Sequence, residues 1–554
     1  MNRLNGIFTS IISNDKNQYR IFILTLLLIS LAMVLFYMPF YPGHDSYFHF
    51  GRLQHLMDLL KEGQFMIAPD YSVIDGYGYF TRAFYPDFTL IPFAVIGNIT
   101  NVDFAYQFTL FTMTFFCGFF TYKMVNRIYN SPYAASISAL LYTFAMYRLL
   151  DIYQRGALAE AMSFTFVPLI LWGLYEVMKG DYKRWYILTI GYSLMILTHL
   201  LASALTFIVI LILIAIYYKS FVKEPKRIKY LVLSGLVTLP IVSYYIFPML
   251  EQMLSNTFYY EKNPLTYIGD NTLGIKAIIR GMFYGVAYPD RPFTPATGLL
   301  LTCAIALRLF VYGKSALLRS ADICVLIGFI FVFASTYFFP WGIFPFNKLS
   351  FIQMPWRLYE FASLFFAVAG GYYLSQIVIS GLRRMAAMGV LCVSILFVML
   401  SDAQMYHSTR DNTGISREKV LENNYHLIGT EYLPSKVPSL EFLANRKDCI
   451  KGLNNNFEIK NFKRDKGTIS FDIETEKNLM ELPLVYYKGY SANFNNEKVP
   501  VLESKSGLVQ IVAFKKGHMI VAYSGTLLQK ISFYISIISI LFFCGIITYS
   551  EQKR

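Results

Sequence analysis

Runs of about 20 apolar residues, each closed by lysine or arginine, recur along this chain and set the strongest limit on its fold. In hydrocarbon every backbone polar group needs an internal partner, so such runs must be helices. Of 554 residues, 55% are hydrophobic and 15% charged, a balance more apolar than soluble domains show. The expected fold class is an all-α polytopic membrane protein. The formal charge of +14 belongs to cytosolic loops and membrane ends, where basic residues set topology, and not to a nucleic-acid partner.

The first run, Ile21 to Met38, has no small-residue cleavage site after it and reads as a retained helix. Arg3, Lys16 and Arg20 place the start of the chain in the cytosol, which makes residues 39–87 a first outer loop. An apolar stretch at 88–97 is too short to cross and is flanked or broken by Pro86 and Pro92, so a half-helix is expected there. Further spans are expected near Phe104–Tyr122, Ala134–Met146 and Ala157–Val177. Trp185–Tyr218 should hold two, turning near His199. Others fall near Tyr230–Leu250, Ala296–Phe310, Ile323–Phe339, from Trp356 onward, Met388–Leu400 and Ile531–Ile547. The count is about twelve, within roughly 11 to 14, and basic residues alternate so that both termini lie in the cytosol. An interfacial helix is expected near 273–285.

Residues 402–527 differ in kind. They are polar and asparagine-rich, and Thr468–Glu474, Leu482–Tyr487, Gly507–Phe514 and His518–Tyr523 alternate as strands do. The organisation expected is a transmembrane domain over 1–401, a small β-rich extracytoplasmic domain over 402–527, and a last helix with a short cytosolic tail over 528–554. Of six cysteines, Cys449 alone lies in the polar region, and no Cys/His spacing suits a structural metal.

Ionisable residues beside apolar spans need a reason. The topology gathers them on the outer side: His44 and Asp45 in the first loop, then Asp75, Arg148, Asp151, Arg155, Glu160, His199, Arg291, Arg357 and Glu360. Arginine offers a rigid fork of donors to phosphate oxygens. A carboxylate can take a proton from an acceptor hydroxyl or hold a divalent cation, magnesium or manganese, against a phosphate. Such a set suits an anionic head group whose tail stays in lipid. Asp45 is the first catalytic candidate, with His44 as its neighbour; the plainer alternative for Asp45 is a solvated carboxylate capping the next helix. Arg148, Asp151 and Arg155 share one face if their segment is helical, and form either a phosphate site or a salt-bridge patch. Glu160 can also serve the N-terminus of its helix, and His199 can simply be a satisfied helix-end histidine. Glu360, three positions after Arg357, can pair with it. Arg357 itself can grip a substrate phosphate or snorkel to ordinary head groups.

The segments Gly43-His-Asp45, Arg155-Gly-Ala-Leu-Ala-Glu160, Thr198-His199, Pro355-Trp-Arg357 and Glu431-Tyr-Leu-Pro434, in this order, carry a resemblance over most of the chain. The chain resembles the bacterial membrane proteins called 6-pyruvoyl-tetrahydropterin synthase-related, grouped with the YfhO-like proteins in the GT-C glycosyltransferase superfamily. That resemblance implies no pterin chemistry. It implies a bacterial cell-membrane enzyme that transfers a sugar, with inversion, from a polyprenyl-phosphate donor to an outer glycopolymer or lipid-linked acceptor. It also implies that Asp45 is the base or supports a metal. The one-sided distribution of ionisable residues makes Arg155, Arg357 and Arg148 the groups expected to hold the donor phosphate. The acidic pair common in that loop is absent, since Ser46 follows Asp45, which leaves metal dependence open. A transporter or flippase of lipid-linked saccharides, or a non-catalytic envelope assembly protein, are the alternatives; internal repeats and mid-membrane charges, which a transporter favours, are not evident.

Overall fold

The apolar runs do form helices, and the chain is mostly helical with a small β-rich region toward its C-terminal end. The structure is a computed structural model that describes residues 15–40, 45–262, 266–288, 291–411, 430–446, 448–452, 458–474, 478–513 and 515–552. Six described helices are long and apolar enough to cross a membrane: Asp15–Phe36, Val102–Tyr129, Leu158–Met178, Ala316–Ala334, Gly381–Thr409 and Leu527–Gln552. A seventh is possible if Lys226–Ile241 and Ser243–Ser255, bent by 71° two residues after Pro240, form one broken span. These mark a membrane protein, and large apolar side chains such as Leu24, Leu28, Phe542 and Leu541 point outward from them.

The expected dozen spans thus do not appear as a dozen long helices. Pro132–Thr143 is a 12-residue helix and Gly298–Ala306 a 9-residue one. The stretch near His199 breaks as anticipated, into Tyr186–Ile196 and Leu200–Ile216. Tyr359–Ile377 has the length of a span, but its tyrosines, Glu360, Ser363 and Gln376 make it less apolar, and it is almost wholly buried in protein. The half-helix is there as Ile91–Ile99, and the amphipathic helix as Ile275–Tyr284.

Contacts divide the chain into two compact units. The first comprises Met1–Phe50, Ile96–Gly235 and Thr266–Gly414. Its helices start and stop on local signals. Asn101 accepts a hydrogen bond from the Phe104 amide to cap Val102–Tyr129, and Asn130 ends that helix in the left-handed conformation. Ser131 then caps the next helix, whose first residue is Pro132. Small residues let the helices approach closely. A methyl group on Gly371 would lie 2.1 Å from Ser138 Oγ and 2.7 Å from the Ala134 carbonyl. A short antiparallel hairpin, β1 (Val286–Tyr288) and β2 (Arg291–Pro295), completes this unit.

The second unit comprises Gly51–Val95, Leu236–Leu265 and Ile415–Arg554. The segment after the first helix therefore packs with the β-rich region and the last helix. The strands are β3 (Lys451–Gly452), β4 (Ile459–Asp465), β5 (Thr468–Ile473), β6 (Asn478–Val485), β7 (Tyr490–Phe494), β8 (Glu497–Val499), β9 (Val501–Glu503), β10 (Leu508–Ala513) and β11 (Gly517–Tyr523). They make two antiparallel sheets, ordered β3-β6-β10-β9 and β4-β5-β11-β7-β8. Phe471, Ile473, Leu482, Ile511 and Val521, from both sheets, share one core, as two-layer packing requires. The Tyr77 carbonyl accepts from the Val485 amide at 2.8 Å, and the Tyr71 and Tyr490 hydroxyls meet at 2.9 Å, which ties 51–95 to the sheets. Ser536 on the last helix accepts from the Tyr244 amide at 2.9 Å, a polar tie between apolar helices.

The close approach at Gly371 gives a test of packing. Gly371→Ala should destabilise the protein by about 1–3 kcal/mol through overpacking. Gly389→Ala, with nothing within 4 Å of the added carbon, should be neutral or slightly stabilising. Thermal unfolding of the two variants in detergent checks this.

Candidate functional site

Glu160 lies in the first turn of Leu158–Met178 and is buried. The turn ahead of it, Asp151–Arg155, is a π-helix closed by Gly156 at φ 70°. It follows a short α-helix, Met146–Leu150. The wider turn breaks the regular spacing, so the shared face expected for Arg148, Asp151 and Arg155 is not kept. Arg155 Nη1 donates to Asp151 Oδ1, and to Glu160 Oε2 at 3.0 Å. Arg148 instead donates to the Thr143 carbonyl at 3.1 Å and to Thr114 Oγ1 at 3.0 Å. Among the described residues it has no ion-pair partner, although it is 1% exposed.

Glu160 is shared. Tyr147 donates its hydroxyl to Oε1, and Arg357 Nε lies 3.3 Å from Oε2. Arg357 comes from the 3-10 turn Pro355–Leu358 and donates through Nη1 to the Ile352 carbonyl at 3.0 Å and to Gln353 Oε1 at 3.3 Å. Gln353 holds φ 62°, a conformation that costs a non-glycine residue about 1–3 kcal/mol. The pairing expected between Arg357 and Glu360 is not seen. Arg357 turns to Glu160, and Glu360 accepts from Ser163 Oγ at 2.8 Å. His199 is buried in extended conformation at the start of Leu200–Ile216, within electrostatic range of Glu160.

Asp45 adjoins this network through the main chain. Its amide donates to the Arg155 carbonyl at 3.0 Å, while its own carbonyl accepts from the His49 amide as the Ser46–Lys61 helix begins. Its residue is exposed, and its charge acts on Asp151 and Arg155. His44 lies outside the described residues. Asp75 sits in a turn of the second unit at φ 47°, and Arg291 opens β2. Among the described residues no three His, Cys, Asp or Glu side chains converge as a metal-binding set.

Burial pushes the Asp151 carboxyl well above the usual carboxylate range, and the neighbouring Glu160 charge adds to the rise against the pull of Arg155 and Arg357. Glu160 has the fuller set of donors, whereas Asp151 Oδ2 has no hydrogen-bond partner among the described residues. Asp151 is therefore the more readily protonated of the two acids, and Arg155 and Arg357 converge on Glu160.

Sequence reasoning did not single out Tyr147, Ser163, Thr114 or Gln353, which orient the charged groups. Ser163 follows Glu160 by three positions on one helix, a spacing that offered a signal; Thr114 carried none.

No protein-family model matches the chain. Over 253 residues it is 24% identical to an uncharacterized protein of Lactococcus lactis subsp. cremoris (strain MG1363). The matched stretch is 44% of this chain and 41% of that relative's length, so less than half of the relative is spanned.

Glu160→Gln should cost about 3–5 kcal/mol, because it leaves two buried guanidinium groups without their common carboxylate. Asp151→Asn should cost less than Glu160→Gln at neutral pH, since one side-chain oxygen remains to accept from Arg155. A carboxyl whose folded pKa is raised contributes stability that is fully present below its ordinary pKa of 3.8 and is lost as pH rises from there to the folded pKa. The wild type should therefore lose stability relative to Asp151→Asn across that window and not beyond it. Unfolding temperatures followed from acid to alkaline pH would show the divergence.

Proposed function

We propose that the chain is a membrane glycosyltransferase of the GT-C type, moving a sugar from a polyprenyl-phosphate donor to an extracytoplasmic glycopolymer or lipid-linked acceptor. In this reading about twelve helical segments embed in a bacterial cell membrane with both termini in the cytosol, and Asp45 faces outward. The observation that carries it is an exposed carboxylate, Asp45, fixed by its backbone to the arginine of a buried arginine–carboxylate network in a helical membrane protein.

The chemistry follows from the groups. The donor phosphate is drawn to the guanidinium groups, with Arg357 the more accessible of the two network arginines, its side chain 12% exposed against 7% for Arg155. Arg155 is already engaged by two carboxylates, so it serves chiefly to hold Asp45 and Glu160 in place. Asp45 accepts the proton of the acceptor hydroxyl. That oxygen forms a bond to the anomeric carbon from the face opposite the phosphate, the bond from carbon to phosphate oxygen breaks, and polyprenyl phosphate leaves with the electron pair.

Asp45→Asn should lower transfer by about 10²- to 10⁴-fold, the usual contribution of a positioned base, with little change in unfolding temperature because the side chain is exposed. Vesicles holding the purified protein and a lipid-linked sugar donor are the assay. Full activity in the variant removes Asp45 from the chemistry. Donor lipid that crosses the bilayer unchanged, with no sugar transferred, would favour a flippase instead.

A further inference from the structure

The second unit contains a cavity of about 610 Å³ that none of the chemistry above uses. It is walled by the end of the Ser46–Lys61 helix, the 68–72 loop, the turn between β4 and β5, and Tyr523 at the end of β11. Its volume is that of a small-molecule site, roughly 300–1,000 Å³. Its wall is mixed: carbon makes up somewhat more of the lining surface than nitrogen and oxygen, and the polar share comes from charged, amide and hydroxyl groups.

Charge selects among polar ligands. Asp58, Glu62, Asp70 and Asp465 bring four carboxylates against the two ammonium groups of Lys61 and Lys466. Lys466 pairs with Glu62, and Lys61 stands 4.0 Å from Asp58, so neither cation is left over for an anion. His55 does not restore the balance: burial lowers its pKa despite Asp70, whose Oδ1 is 3.1 Å from Nδ1. Its Nε2 is buried without a hydrogen-bond partner among the described residues. A polyanion would meet net repulsion here. Hydroxyl groups, by contrast, donate to carboxylates. Tyr71 and Tyr523 add flat aromatic surface. Tyr71 is set firmly: a side-chain carbon on Gly467 would come within 2.1 Å of its ring and one on Gly78 within 2.8 Å.

We infer that this cavity binds a short uncharged or amine-bearing saccharide, as an acceptor subsite that excludes phosphate-rich polymers. The assignment rests on the glycosyltransferase reading for its role, and on the cavity alone for its ligand. It narrows the acceptor from any outer glycopolymer to one without a repeating phosphate.

The test uses the full chain in detergent, without donor lipid. A panel of neutral oligosaccharides of a few rings and a glycerol-phosphate oligomer are titrated and followed by ligand-observed NMR. At least one neutral oligosaccharide should bind roughly tenfold or more tightly than the glycerol-phosphate oligomer, a factor each 1.4 kcal/mol provides. Thr468→Trp, at an exposed position on the cavity wall, should weaken that binding about tenfold by filling the space, with an unchanged unfolding temperature. Asp58→Lys, also exposed, should narrow the preference for neutral over anionic ligands. Failure of every neutral oligosaccharide to bind, unchanged affinity in Thr468→Trp, or tighter binding of the glycerol-phosphate oligomer would overturn the assignment. Sugar transfer measured on the same preparation separates the two readings. Transfer without saccharide binding removes the cavity subsite only, and binding without transfer removes the transferase only.

Discussion

One carboxylate, Glu160, holds the arginines of the first unit together. Tyr147 and Arg155 reach it from the turns just ahead of its own helix and Arg357 from a segment far along the sequence, and it is 3% exposed. A buried ion of this kind persists only when its partners are complete, because desolvation of each charge outweighs any single contact. The surrounding geometry follows from that requirement. The π-turn brings Arg155 back toward its own helix, and Gln353 keeps a strained backbone while it supports Arg357. Strain held beside a charged cluster is more expected of a site than of a passive membrane surface.

The second unit is built on different physics. Its sheets are closed by an apolar core between two layers, and the 51–95 segment is fastened to them by backbone and tyrosine hydrogen bonds. Arg446 is buried against Glu481 and the Tyr77 hydroxyl, so this deep arginine serves to join loop to sheet. Four carboxylates of this unit, Asp58, Glu62, Asp70 and Asp465, line the cavity.

Much of the architecture was legible in the sequence because it rests on local rules. Long apolar runs mark Asp15–Phe36 and Leu527–Gln552, and two-residue alternation marks β5, β10 and β11. Asn130-Ser131 announces a helix end and a helix start. The long-helix count was not legible, because a 12-residue helix such as Pro132–Thr143 is stabilised by burial among its neighbours and carries no length signal. The β4 strand escaped notice for a related reason: its faces are exposed, so it does not alternate. At the site, Arg155 with Glu160 could be read from spacing, but the turn of Arg357 toward Glu160 could not. That depends on which of two acids, Glu160 or Glu360, the fold brings to the guanidinium, and Ser163 settles it by occupying Glu360.

Asp45 and the buried network are joined through the main chain. A carboxylate on a loop is ordinarily free to move, and a base must be held to a small fraction of that freedom to act. Asp45 is held by its amide on the Arg155 carbonyl, and Arg155 is held by two buried carboxylates. The side chain of Asp45 keeps its exposure while its backbone takes on the order of the buried cluster. A side-chain salt bridge to Arg155 would have fixed the position equally well, but it would have spent the carboxylate. Anchoring through the main chain leaves the acid free to accept a proton, which is the arrangement a reacting group needs and a structural ion pair does not.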